Sequence, residues 1–293
     1  MNLMRLKNWY FVFSLLIILP GLYFLTTSGL KLGIDFTGGT LLEYKIGSQV
    51  TVDELKNLVS QKGVEVEQIL KSQDTYIIRT KPVEQEKINS IKLALTEKLG
   101  SVEERRQEFV GPLIGSELKQ KTALALLLSS IAIVLYIAFS FRKIPKPASS
   151  WRFGIAAIVA LIHDILVVVG VFAILGKFLG VEIDTLFATA VLTVIGFSVH
   201  DTIVVFDRIR ENLRKHIGKK FIDIANLSVI QTLGRSLNTS LTVIFVLLAL
   251  FLFGGETIKW FVVALLVGII SGTYSSIFNA TALLVWWEER LGH

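Results

Sequence analysis

The sequence predicts a polytopic α-helical membrane protein: six transmembrane helices plus one extracytoplasmic α+β domain of ferredoxin-like βαββαβ order. Three observations predict it. The 293 residues are 52% hydrophobic and only 18% charged, where a soluble domain carries about 25% charge, and the mean hydropathy is +0.62. Six apolar runs have about the 17–25 residues that cross some 30 Å of hydrocarbon. A single long polar stretch, residues 28–121, separates the first run from the other five.

The first run, 9–27, follows Arg5 and Lys7 in a short N-terminal segment, 1–8. No small-x-small cleavage site follows it, so it reads as an uncleaved span and not as a signal peptide. The others fall at about 122–141, 152–175, 185–206, 236–254 and 260–287 within the region 122–287. Helices satisfy their own backbone groups in lipid, which makes six helices the natural architecture.

Lys and Arg in the short loops set the orientation. One side holds Arg5, Lys7, Arg142, Lys143, Lys146, Arg152, the run from Arg208 to Arg235, and Arg290; the other holds Lys177 and Lys259. The basic side is expected to be cytoplasmic, with both termini (288–293 included) inside and 28–121 outside. This placement explains the net charge of +6 without nucleic acid. The absence of cysteine excludes disulfides, thiol catalysis and Cys-ligated zinc.

Within 28–121, TLLEYKI alternates as a strand, and Thr51 with Glu54 forms a capping box opening a helix. VEVEQIL and TYIIRT read as strands joined by the turn SQD. VEQEKINSIKLALTEKLG is an amphipathic helix ending at Gly100, and VEERRQEFV a last strand. This is the split-βαβ order, with no cluster of catalytic residue types. Residues 207–235 read as a cytoplasmic basic loop, part of it a short interfacial helix.

The informative residues lie in the spans. An intramembrane carboxylate costs roughly 2.5–3.5 kcal/mol on insertion scales and is functional by default. His163 and Asp164 occur in the third span, where Ala157, Ala160 and Asp164 share a face, so Asp164 points at other helices. In the fourth span Thr193, Gly196, His200 and Asp207 fall on one face, with Asp201 about 100° round from His200. Arg235, Asn238, Thr239 and Thr242 form a stripe on the fifth span. Arg235 starts that span on the side where Asp201 and Asp207 end the fourth, so an Arg235–carboxylate pair is expected. The sixth span offers a small, hydroxylated packing face, Gly268, Ser271, Gly272, Ser275 and Asn279.

Plainer readings coexist. Asp207 beside Arg208 and Arg210 suits a span terminus at the headgroups, Arg235 suits a snorkelling boundary residue, and Ser/Thr stripes suit helix packing. An aspartyl protease built from Asp164 and Asp201 lacks a GxGD signature, and no HExxH spacing supports a metal site. No enzymatic activity, metal or cofactor is expected. A buried Asp beside a movable Arg is the minimum of a proton relay.

Several stretches carry a family resemblance: GIDFTGGT (33–40), VGPLIGSEL (110–118), ALIHD (160–164), GFSVHDTIVVFDRIREN (196–212) and QTLGRSLNTSLTV (231–243). The chain resembles the SecF branch of the SecD/SecF family, within the RND superfamily. The resemblance implies a SecD partner supplying six further spans. It also implies association with SecYEG in the bacterial cytoplasmic membrane, and use of the proton-motive force to move unfolded preproteins after SecA has acted. It places the essential aspartate at Asp201 and the essential arginine at Arg235, with Thr239 beside them; Asp207 and Asp164 are weaker carry-overs, and His163 beside Asp164 is counted with the expected proton relay. Many relatives have Asn where this chain has His200, a second titratable group. Asp35, Gly38 and Gly39 are expected to form a turn into the outer domain, Asp35 as a turn or contact residue. The alternatives are a passive translocon scaffold and a proton-coupled exporter of small solutes or lipids.

Overall fold

The computed structural model describes every residue except 1, 49, 73, 143, 146, 147, 292 and 293. Lys143 and Lys146 of the expected basic side, and the middle of the SQD turn, lie outside the described residues. The elements in order are a 3₁₀ turn Leu3–Leu6, α1 Lys7–Thr27, α2 Ile34–Thr37, β1 Gly39–Ile46, α3 Val52–Ser60, β2 Val66–Ser72, β3 Thr75–Thr80, α4 Gln85–Leu99 and β4 Val102–Val110. Then follow α5 Pro112–Ser140, α6 Ser150–Leu179, α7 Thr185–Lys215, α8 Phe221–Phe253, α9 Glu256–Tyr274, a π-helical turn Ser275–Asn279 and α10 Ala280–Arg290. The chain divides into two compact units, Leu32–Ala123 and the remainder.

The smaller unit is built on an antiparallel sheet of order β2-β3-β1-β4, in which β1 and β2, joined through α3, flank β3. This is the split-βαβ arrangement the element order predicts. Alternation puts Leu42, Tyr44 and Ile46 of β1, with Tyr76 and Ile78 of β3, on the core face. Leu55 and Val59 of α3 and Ile88, Ile91 and Leu95 of α4 cover them. Burial, and then the charge of Glu104, push the Tyr44 phenol up to about 12. The capping box forms as expected. The Thr51 amide donates to Glu54 Oε2 at 3.0 Å, and the Glu54 amide to Thr51 Oγ1 at 3.3 Å. The contact with the Thr51 amide, then its hydroxyl, holds the Glu54 carboxyl below the usual range.

GIDFTGGT is more than a turn. Ile34–Thr37 close one helical turn, with Asp35 in it. The chain then enters β1 through Gly38 at φ 73° and Gly39 at φ 143°, a region closed to most other residues. A side chain on Gly38 would come within 2.8 Å of the Pro112 backbone, and one on Gly39 within 2.8 Å of the Thr80 carbonyl.

The larger unit contains helices long and apolar enough to cross a membrane, six with α5 included; this is a multi-pass membrane protein. α6, α7 and the last helix (α9 to α10) form its centre, each with half or more of its apolar stretch buried. α1, α5 and α8 bury far less. α1 lies against α6 where Gly21 meets Gly170, each too close to the other for a side chain. Phe141, Phe153 and Phe206 pack with ring centroids 5.0–5.9 Å apart and join the chain after α5 to α6 and α7. Near the chain ends, Arg152 pairs with the buried Glu288, and Lys7 with Glu289.

The expected loop 207–235 is largely helical. α7 continues to Lys215 and α8 begins at Phe221, leaving 216–220 as the connection. The reason is in the sequence: Phe221, Ile224, Ala225, Ser228, Val229 and Thr232 recur at helical spacing and are buried, while Asn212 donates to Ser228 Oγ at 2.9 Å and Gln231 Oε1 at 2.8 Å, zipping the two helices together.

A buried hydroxyl–carboxylate site

α6, α7 and α9 come together through small residues. A Cβ on Gly268 would overlap the Val194 side chain, and one on Gly272 would lie 3.1 Å from Ser198 Cβ. The π-helical turn directly follows. Such turns insert one residue into a helix and re-aim the side chains around it. Ser275 reaches α6, Ser276 reaches α7, and Asn279 donates to Ser14 of α1 at 2.6 Å.

Asp164 sits in the middle of this junction with no exposed surface. Its Oδ2 accepts from Ser198 at 2.5 Å and Ser275 at 2.7 Å. Its Oδ1 accepts from Ser271 at 2.9 Å and lies 3.0 Å from His163 Nδ1. Four contacts on one carboxylate fill its acceptor positions. The His163 ring is buried, and its Nε2 has no hydrogen-bond partner among the described residues.

Asp201 lies about one turn beyond Ser198 on α7 and is 1% exposed. The Ser240 and Thr273 hydroxyls stand beside it and bond each other at 2.6 Å. His200 Nδ1 is 3.7 Å from its Oδ1. Its Oδ2 has no partner among the described residues. Next to it Thr202 bonds Ser276 at 2.8 Å, and Ser276 donates to the Ser198 carbonyl at 3.0 Å. The two aspartates therefore differ: Asp164 is saturated by donors, and Asp201 keeps an acceptor oxygen to spare.

The expected Arg235–carboxylate pair does not form within this chain. Arg235, Asn238, Thr239 and Thr242 all lie on an exposed face of α8. The Thr239 hydroxyl donates to the Arg235 carbonyl at 3.0 Å. The inward face is the one a residue further round, Ser236 and Ser240, because each residue turns a helix by 100°. Asp207 pairs with Arg210 on its own helix and is half exposed, about two turns before α7 ends at Lys215. Sequence reading missed Ser198, Ser240 and Thr273. The spacing of Ser198 from Asp201, three residues on one helix, was the available signal. The His163–Asp164 and His200–Asp201 pairs do not gather into a cluster of three or more ligating side chains among the described residues.

A bundle of apolar helices with carboxylates held at hydroxyl-lined junctions, joined to one split-βαβ domain, defines an integral membrane protein with ionisable groups inside its spans. Residues 90–290 match the family model of the protein export membrane protein SecD/SecF, C-terminal, and residues 23–50 match the SecD/SecF GG motif, which contains Gly38 and Gly39. The chain belongs to the SecD/SecF family. A protein translocase subunit SecF from Thermobaculum terrenum is 48% identical, with 99% of this chain and 94% of that one covered. One from Vibrio alginolyticus is 42% identical, covering 96% and 87%. The crystal structure of SecDF, a translocon-associated membrane protein from Thermus thermophilus, superposes with a TM-score of 0.87 at 33% identity. A structure of SecDF in a super-membrane-facing form gives 0.71 at 31%. The chain spans 39% of the length of each of those two SecDF chains.

Proposed function

We propose that the chain is the SecF subunit of the bacterial protein-export machinery. In this reading it sits in the cytoplasmic membrane with both termini inside, pairs with SecD, and acts with the SecYEG channel. The pair uses the proton-motive force to assist preprotein movement after the SecA-driven steps; the chain carries out no bond chemistry of its own.

One observation carries the reading: Asp201 is buried inside a span, yet one of its oxygens is unclaimed. A carboxylate in that position costs several kcal/mol unless it is neutralised or paired. A proton satisfies the free oxygen, and so does an approaching guanidinium. Arg235 lies on the neighbouring helix, on a polar face that this chain leaves open. A rotation or tilt of α8 that brings it to Asp201 excludes the proton; withdrawal of Arg235 admits one. The hydroxyls of Ser240 and Thr273 serve either state, since each can donate or accept. A proton crossing 100 mV releases about 2.3 kcal/mol and each pH unit adds about 1.4, enough to shift a two-state helix arrangement. Thr239, one turn from Arg235, steadies the end of that stripe. Asp207, exposed on α7 between Asp201 and the helix end, is the group from which a released proton leaves. Asp164 and His163 hold the frame against which α8 moves.

The test is force-dependent preprotein export in membrane vesicles carrying the chain with its SecD, native against Asp201→Asn. Loss of export and of proton uptake, with the complex still assembled, is the expected result. Export at the native level makes Asp201 a packing residue and leaves the chain a passive scaffold.

A further inference from the structure

We infer that His200 is the proton-transfer residue of this site, passing protons between the open polar face of α7 and the enclosed Asp201. This rests on the reading of Asp201 as the proton-carrying group and deepens it.

Asp201 is closed off at 1% exposure, so a proton cannot reach it directly from outside the chain. His200 is placed to bridge that gap. Its side chain is 61% exposed, and its Nδ1 lies 3.7 Å from Asp201 Oδ1, a few tenths of an ångström beyond a hydrogen bond. Such contacts tighten when a site becomes occupied. His200 also stands in an exposed polar row along α7 with Thr189, Thr193, Gly196 and Asp207. A polar row inside a span lines either a partner or water. His200 is the row's one imidazole, a ring that can take up a proton at one nitrogen and give one up at the other.

The charges around it leave this role open. On α8, Arg235 lies on the exposed face. On α6, Asp164 and His163 are engaged with each other and with the serine hydroxyls. α9 carries Glu256 and Lys259, paired in its first turn, and no other charged side chain. Asp201 is thus the anion at hand for a charged His200.

The transfer balances simply. The ring takes a proton at Nε2 from the open face and becomes imidazolium. The Nδ1–H proton then passes to Asp201 Oδ1, leaving a neutral ring protonated at Nε2 and a neutral carboxyl. Return of the ring to its starting tautomer, by rotation or by proton exchange on the open face, readies it for the next proton.

The experiment uses vesicles containing the full chain and its SecD, and reads proton flux and export between about pH 5.5 and 7.5. His200→Asn and His200→Gln are compared with native and with Asp201→Asn, and each variant is checked for co-purification with SecD. We expect the His200 variants to assemble and to lose flux by at least about ten-fold. They should also lose the native pH dependence across that window and recover flux when free imidazole is added. Asp201→Asn should stay inactive with imidazole present. His200 variants that keep the native rate and pH profile, or that fall without imidazole rescue, overturn the inference while leaving Asp201 in place. An active Asp201→Asn overturns the reading beneath it as well.

Discussion

Asp164 and Asp201 are buried to nearly the same degree on adjacent helices, and their hydrogen-bonding surroundings differ. Three serines, one each from α7, α9 and the π-helical turn, converge on Asp164. Removing it strands the Ser198 and Ser271 hydroxyls, each at a cost of about 1–3 kcal/mol when buried and unpaired, and leaves Ser275 only its longer bond to the Gly272 carbonyl at 3.2 Å. Asp164→Ala is therefore expected to lower the stability of the helix unit by roughly 3–5 kcal/mol, whereas Asp201→Asn, which fills an unclaimed position with an amide, should leave it within about 1 kcal/mol. Thermal unfolding of both variants in the same detergent checks this. Equal losses would mean that the serines do not depend on Asp164. The contrast also separates two roles the sequence presents alike. HDIL and HDTI both place a His-Asp pair in an apolar run; only the hydroxyls that fold around each pair tell the saturated carboxylate from the one with an oxygen to spare.

At the scale of elements, much of the design is readable from local chemistry. The βαββαβ order follows from alternating strands, the Thr51–Glu54 cap and the stop at Gly100, all short-range signals. Hydropathy marks where the six spans lie, but it measures membrane and not helix. It therefore placed a loop at 207–235, where amphipathic sequence continues both α7 and α8 beyond the apolar zone. The inward face of α8 is hidden from the sequence for a related reason. Arg235, Asn238, Thr239 and Thr242 form as good a stripe as Ser236 and Ser240, and only packing against α7 and α9 decides which turns inward. Close helix approach is equally invisible in the sequence. Gly21 and Gly170 are too far apart in the chain to suggest a pair, yet a Cβ on Gly21 would lie 2.7 Å from the Gly170 backbone. Gly21→Leu should push α1 off α6, costing about 1–3 kcal/mol or more, and should break the Asn279–Ser14 bond that ties α1 to the π-helical turn. Faster proteolysis within α1, at unchanged stability of the smaller unit, is the expected signature.

For the whole molecule, the uncovered surfaces carry the argument. An apolar face left open in a membrane protein can meet lipid without cost. A face bearing His200, Arg235 and Asn238 cannot, because lipid supplies no hydrogen-bond partners; Thr193 and Thr242 beside them turn their hydroxyls back onto the Thr189 and Thr239 carbonyls. Those side chains occupy exposed positions on α7 and α8, so either a polar partner or water must meet them. The 39% share that this chain covers in the solved SecDF chains leaves ample sequence in those proteins for a second set of helices. We expect SecD to cover this face here. The absence of cysteine makes the expectation directly measurable, since single cysteines can be introduced into the unaltered chain. Thr193→Cys and Thr242→Cys should react readily with a small water-soluble maleimide when the chain is produced alone. With SecD co-produced, their labelling should slow by at least about ten-fold, as expected of side chains at the core of a packed interface. A cysteine at Ile217, 90% exposed in the connection between α7 and α8, should label equally in both cases. If Thr193→Cys and Thr242→Cys label at the same rate with and without SecD, the polar face is not where the partner binds. Arg235 would then have to reach Asp201 by movement within this chain alone.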